Sequence, residues 1–273
     1  MVHESPYLFT VNESEQPSQK LIRVVGSLVN ASRGELDPVQ NIIDPELLDN
    51  IRHSRSDVSF SFRYEGYDVT AHSDGRIVLR DPASIYAQLD NLSNTLHMSS
   101  GDEDKICADL LQQYPFDHEN VLNVVYGQHP DHSIEPILQH GTKPPANNKV
   151  ISVTSEGSEP DSQLFNVKTD LVDMNMEDGF SRLGKEILQA IGDWTSNPYK
   201  TVLCFRSIEA VIDRTDIETG FKFFHLLTEK ISSSNVTAHY HINSKTCDEM
   251  TINALTPLFD AVVYEDGNFT ISK

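Results

Sequence analysis

The sequence predicts an α/β protein whose larger part is a mostly parallel sheet with helices on both faces, preceded by a small α+β unit. Three observations carry that expectation. Val58, Phe60, Phe62 and Tyr64 alternate strictly, as a strand with one buried face requires. Glu65-Gly66 and Asp74-Gly75 are turn dipeptides that would fold the following segments back into successive hairpins. From about residue 91 the rhythm changes to short apolar runs separated by helical patterns, the signature of strand–helix–strand units.

In chain order, the first 17 residues are polar, contain Pro6 and Pro17, and are expected to form a flexible tail. Leu21, Val24, Val25 and Leu28 then recur at helical spacing over 18–29. Asp44-Pro45-Glu46 opens a second helix with an N-cap, a Pro at the first helical position and an acid near the positive end of the helix dipole. The alternating residues from Val58, continued by Tyr67, Val69, Ala71, Ile77 and Leu79, make a three-stranded antiparallel meander. The two helices can cover its apolar face, giving an α+β unit over 18–82.

In the remainder, 91–273, strands are expected at 95–98, 121–126, 150–154, 201–205, 236–241 and 261–264. Helices are expected at 103–113, 133–139, 179–194, 218–231 and 248–258. The Asn-, Ser- and Glu-rich stretch 154–178 reads as an irregular excursion. Gly179 to Lys185 fits the phosphate-loop spacing G-x-x-x-x-G-K, but Glu186 follows where Ser or Thr must hold magnesium. Leu183, Ile187, Leu188, Ile191 and Trp194 mark the segment as an amphipathic helix instead.

The composition narrows the function classes. Asp and Glu number 41 against 21 Lys and Arg, a formal net charge of −20. The excess is spread along the chain, which has 14 acids and 8 bases in 1–91 and 27 and 13 in 92–273. Such a chain repels phosphate backbones and anionic membrane surfaces, so non-specific nucleic-acid binding loses its main attractive term. Concentrated salt would screen the self-repulsion. Cys107, Cys204 and Cys247 are widely spaced and form no C-x-x-C unit, which supports neither a disulfide framework nor a zinc knuckle. The first residues show no basic segment followed by an apolar one, and no apolar run is long enough to span a bilayer. A cytoplasmic protein is expected.

Ligands of open parallel sheets bind beyond the carboxyl ends of the strands. There the first strand of the larger unit feeds Ser99, Ser100, Gly101, Asp102 and, in the first helical turns, Lys105. One Gly gives little room for a pyrophosphate, and Lys105 is the candidate phosphate-facing cation. The run 201–205 delivers Arg206 and Ser207 to the same edge, where an ATPase would place a magnesium-organising Asp. His239 and His241 alternate on a strand and point to one face, with Asp248 following. Hydrogen-bonded histidines and a metal site are both compatible with that spacing. No catalytic residue, metal or cofactor is expected, and magnesium-ATP is not favoured.

Two families are resembled by these residues. Ile43-Asp44-Pro45, Leu47-Leu48-Asp49, Tyr64-Glu65-Gly66-Tyr67, Val69-Thr70 and Asp74-Gly75, in that order, resemble the haloarchaeal output domain over about 18–80. HMSSGDEDKICADLL, ENVLNVVYGQHPD, VLCFRSIEAVIDRTDIETGFKFFHLLTEKI, AHYHIN and DEMTINALTPLFDAVV are similar to a degenerate RecA/KaiC-like haloarchaeal domain over about 91–265. The resemblance implies a nucleotide-binding type of scaffold in a signalling protein from a salt-rich cytoplasm. Arg206 stands where relatives commonly show Asp before Ser, and Cys247 where an acidic or histidine-containing segment is usual. The expectation is a non-catalytic regulatory or signal-transduction interaction protein with a protein partner, open to self-association. A nucleotide-binding RecA-like ATPase or switch is the alternative. A DNA-binding regulator comes third, because Arg52 and Arg55 are isolated and make no basic stripe.

Overall fold

Tyr7, Phe9 and Val11 turn alternate side chains toward one core, and the segment Tyr7–Thr10 is a strand, β1. It pairs antiparallel with β4 (Arg76–Arg80), at the edge of a sheet ordered β1-β4-β3-β2 with β2 at Ser59–Tyr64 and β3 at Tyr67–His72. The sheet therefore has four strands where three were expected, and part of the expected 1–17 tail is ordered. The polar residues around Tyr7–Thr10 hide an alternation only four residues long. This is a computed structural model, and it describes residues 7–12, 14–54, 58–73, 75–89, 92–99, 119–127, 144–155, 169–265 and 269–272. The chain divides into two units, Met1–Asp90 and Asn91–Lys273.

In the first unit, the β2–β3 turn places Glu65 and Gly66 at φ of 49° and 85°, the left-handed pair that matches strand twist in a two-residue hairpin. Helices α1 (Pro17–Leu28) and α2 (Pro45–Asn50) lay Leu21, Val25 and Leu48 on Tyr64, Val69, Ala71, Ile77 and Leu79. As expected, Asp44 caps α2, its Oδ1 accepting from the Glu46 N–H at 2.9 Å. The backbone N–H and hydroxyl of Ser18 both donate to Asp49, at 2.8 and 3.0 Å, and so fasten α1 to α2. A short helix, α3 (Ile85–Leu89), follows the sheet.

The second unit is built on an eight-stranded sheet among the described residues, ordered β12-β11-β5-β10-β9-β6-β7-β8. Its strands are β5 (Asn94–Ser99), β6 (Glu119–Tyr126), β7 (Asn147–Thr154), β8 (Thr169–Asn175), β9 (Lys200–Arg206), β10 (Val236–Asn243), β11 (Ala261–Glu265) and β12 (Phe269–Ser272). All neighbours run parallel except β11 and β12. The mostly parallel sheet is thus the one predicted, extended by β8 and β12. β8 lies in the stretch expected to be irregular. It is an edge strand whose Asp170 and Asp173 face solvent, which masks its Leu171, Val172 and Met174.

Four described helices cover one face of this sheet: α4 (Gly179–Trp194), α5 (Ile208–Arg214), α6 (Ile217–Ser232) and α7 (Glu249–Leu255). Alternation along the buried strands sends Leu96, Leu122, Val124, Ile151, Leu203, Phe205, Tyr240 and Val262 toward them. The phosphate-loop spacing at Gly179–Lys185 lies within α4, which buries Leu183, Ile187 and Ala190 as the amphipathic reading requires. α5 was not among the expected helices; it starts directly at the end of β9, with only Ser207 between them. The helices expected at 103–113 and 133–139 lie outside the described residues. At the amino end of β5, Asn94 accepts from the Tyr240 hydroxyl at 3.0 Å and donates to the Thr228 carbonyl and Ser232 hydroxyl of α6. Burial holds the Tyr240 hydroxyl protonated by raising its pKa far above the ordinary value. No described helix is long and apolar enough to cross a membrane.

Candidate functional site

The second face of the parallel sheet differs in kind from the first. Parallel register keeps paired residues on one side, so Asn123, Cys204, His239 and Thr95 form one transverse row across β6, β9, β10 and β5. A second row toward the carboxyl ends holds Val125 and Arg206, paired in register, and His241 and His97, likewise paired. All eight are buried. A polar layer thus runs through the interior on the side opposite the aromatic core.

His97 and His241 face each other in this layer, their Nδ1 atoms 3.1 Å apart and their rings edge to face with centroids at 5.1 Å. One Nδ1 must carry a proton and donate while the other accepts, so the two rings hold complementary forms. The expectation that His239 and His241 share a strand face is met, and both are fully buried. His97 went unnoticed because its partner is 144 residues away and only the β5–β10 pairing joins them.

Asp248 does not belong with these rings. It is solvent-exposed and caps α7, Oδ1 accepting from the Thr251 N–H at 2.9 Å and Oδ2 from the Thr251 hydroxyl at 2.7 Å. Those two bonds, the hydroxyl's first, hold its carboxyl below the ordinary range. The grouping of His239, His241 and Asp248 suggested by the sequence is therefore not formed. Among the described residues no three His, Cys, Asp or Glu side chains are placed to share a metal ion. Burial first, then the charges of Asp248, Glu209 and Asp213, push the Cys247 thiol up to about 11, which disfavours the reactive thiolate.

β9 ends on Arg206, which is 4% exposed, and Ser207 follows at φ 64° and ψ 63°. A left-handed conformation at a residue with a Cβ costs on the order of 1 kcal/mol. It turns the chain sharply from the sheet edge into α5 while keeping Ser207 buried. Arg206 and Ser207 thus occupy the carboxyl edge as expected. Ser99, the last residue of β5, is also at this edge, its carbonyl accepting from both the N–H and the hydroxyl of Ser244 at 2.9 and 3.0 Å. Ser100, Gly101, Asp102 and Lys105 lie outside the described residues.

Asn123 is the other residue that the sequence did not single out. Its side chain is fully buried, and among the described residues neither end of its amide has a hydrogen-bond partner. A buried, unsatisfied amide costs about 1–3 kcal/mol. Replacing it with Leu, which has the same branched heavy-atom skeleton, is expected to stabilise the second unit by up to that order, read as a later denaturant midpoint from the single tryptophan, Trp194. A lower midpoint would mean that the amide is satisfied in solution.

Residues 93–264 match the family model described as "Family of unknown function (DUF7504)". Residues 13–81 match halobacterial output domain 1, in agreement with the resemblance seen over 18–80. No curated protein matches the sequence. Among solved structures the chain is similar to a Pyrococcus horikoshii OT3 protein at 9% identity and TM-score 0.46, covering 67% of this chain and 86% of that one. A KaiC-like protein from the same organism is similar at 11% identity and TM-score 0.40, covering 66% and 76%. The flagellar accessory protein FlaH from Methanocaldococcus jannaschii is similar at 13% identity and TM-score 0.38, covering 66% and 75%.

Proposed function

The chain belongs to the DUF7504 family, and from that premise we propose that it is a non-catalytic regulatory protein that signals by binding a protein partner. The observation that carries this reading is Arg206. A guanidinium at the end of β9 cannot ligate magnesium, and its fixed positive charge opposes a cation at the position where hydrolysis would need one. Its burial makes the substitution consequential, because a charge in the interior interacts strongly with any ion brought beside it. The output domain at 13–81 supports a signalling role. The net charge of −20 argues against nucleic acid as the partner.

A thermal titration of the full chain in molar salt tests the reading. ATP, ADP, GTP and cyclic dinucleotides, each with and without magnesium, are expected to leave the unfolding temperature unchanged. A specific ligand at hundreds of times its Kd would instead add about 3–4 kcal/mol. A shift of that size that requires magnesium would replace this reading with that of a nucleotide switch.

A further inference from the structure

The outer surface of α4 and α6 carries a feature that the sheet-edge reading leaves unused. On α4, Ser181, Gly184, Lys185 and Leu188 stand at positions i, i+3, i+4 and i+7, and on α6 so do Phe223, Leu226, Leu227 and Lys230. The two stripes border a single groove of about 620 Å³. Phe180 and Phe223, with ring centroids 5.1 Å apart, form one of its walls. Leu226 is 65% exposed and Leu188 38% exposed, although the same helices bury Ile187, Phe224 and Ile231 completely. α6 therefore has two apolar stripes, one facing the sheet and one facing outward, and α4 sets Phe180 and Leu188 beside the outer one.

The charged groups of the groove have one sign. Among the described residues its charged lining groups are Lys185 and Lys230, with no carboxylate. Neither ammonium has an ion-pair partner among the described residues, whereas Arg182 and Lys222 on the same helices pair with Asp178 and Glu218. In a chain with 41 carboxylates, two unpaired lysines beside an apolar cleft are a local reversal of the molecule's charge. Gly184 keeps the cleft open: a Cβ there would only reach van der Waals contact with Phe223 at 3.8 Å.

We propose that this groove docks an acidic amphipathic helix from a protein partner. Apolar residues at i, i+3, i+4 and i+7 of that helix would fill the space above Gly184 and between Leu188 and Leu226. Carboxylates beside them would meet Lys185 and Lys230. The apolar contact supplies the affinity that survives concentrated salt, and the lysines set orientation and exclude basic helices. The proposal is separate from the sheet-edge reading, because it holds whether or not a nucleotide binds near Arg206.

The test uses the full chain and two labelled synthetic helical peptides of about four turns, with Leu at the stated spacing and either Glu or Lys elsewhere. Fluorescence anisotropy is expected to show binding of the Glu peptide and much weaker binding of the Lys peptide. Leu226→Asp and Gly184→Leu should each weaken the Glu peptide about tenfold or more. Gly184→Leu also favours the helix, and an unchanged unfolding temperature for that variant separates loss of binding from loss of fold. Lys185→Glu with Lys230→Glu should reverse the preference between the peptides. Equal binding of both peptides, unchanged binding by Gly184→Leu, or no binding at all would overturn the proposal. Self-association abolished by Leu226→Asp would also overturn it, by making a second copy the occupant.

Discussion

Phe205→Ala is expected to destabilise the Asn91–Lys273 unit by about 3–5 kcal/mol, the range for deleting a buried aromatic ring from a core that cannot collapse around the gap. Phe205 lies on the apolar side of β9, one residue before the strand ends. Its ring meets Phe224 at 5.1 Å, Phe223 at 6.1 Å and Tyr240 at 6.3 Å, joining α6 to β9 and β10. All of these rings are held by secondary structure whose strands are themselves buried, so little can move to fill the void. Denaturant unfolding followed at Trp194, which packs against the same cluster, gives the readout. A loss below about 1 kcal/mol would show that the helices close over the cavity and that the cluster is looser than its ring distances imply.

The second large effect is expected in the first unit, where Leu48→Ala should cost about 2–5 kcal/mol. α2 has six residues, too few to persist without tertiary contact, and Leu48 is its one fully buried side chain. Truncating Leu48 also loosens Asp49, the acceptor of both Ser18 bonds, so α1 loses its fastening to α2. Hydrogen exchange at Val69 and Leu79 provides the measurement. Their protection should fall by two orders of magnitude or more, since each factor of ten corresponds to about 1.4 kcal/mol. Unchanged protection would mean that the four-stranded sheet is stable without its helices.

What could be read from the sequence follows from the range of the interactions involved. Elements whose pattern is local and clean were legible: the alternation of β2, the Asp44 cap of α2, and the stripe of α4 that outweighed its phosphate-loop spacing. Elements whose pattern is short or diluted were not. β1 has four residues, and β8 sits at an edge where exposed acids interrupt its apolar residues. For the site, the edge positions of Ser99, Arg206 and Ser207 follow from strand ends alone. The His97–His241 contact and the burial of the Asn123 amide depend on the order β5-β10-β9-β6, which no local pattern encodes. Asp248 was grouped with the histidines by proximity in sequence, but a cap uses its carboxylate first. Leu188, counted with the buried stripe of α4, proved to face the groove instead.

We propose that the carboxyl edge of the parallel sheet, with Arg206 at the end of β9, does not support nucleotide hydrolysis. Phosphate release from ATP and GTP by the full chain in molar salt, with and without magnesium, tests this most directly. The account predicts a rate indistinguishable from the protein-free blank in every condition. Magnesium-dependent release that disappears in Lys105→Ala would contradict it.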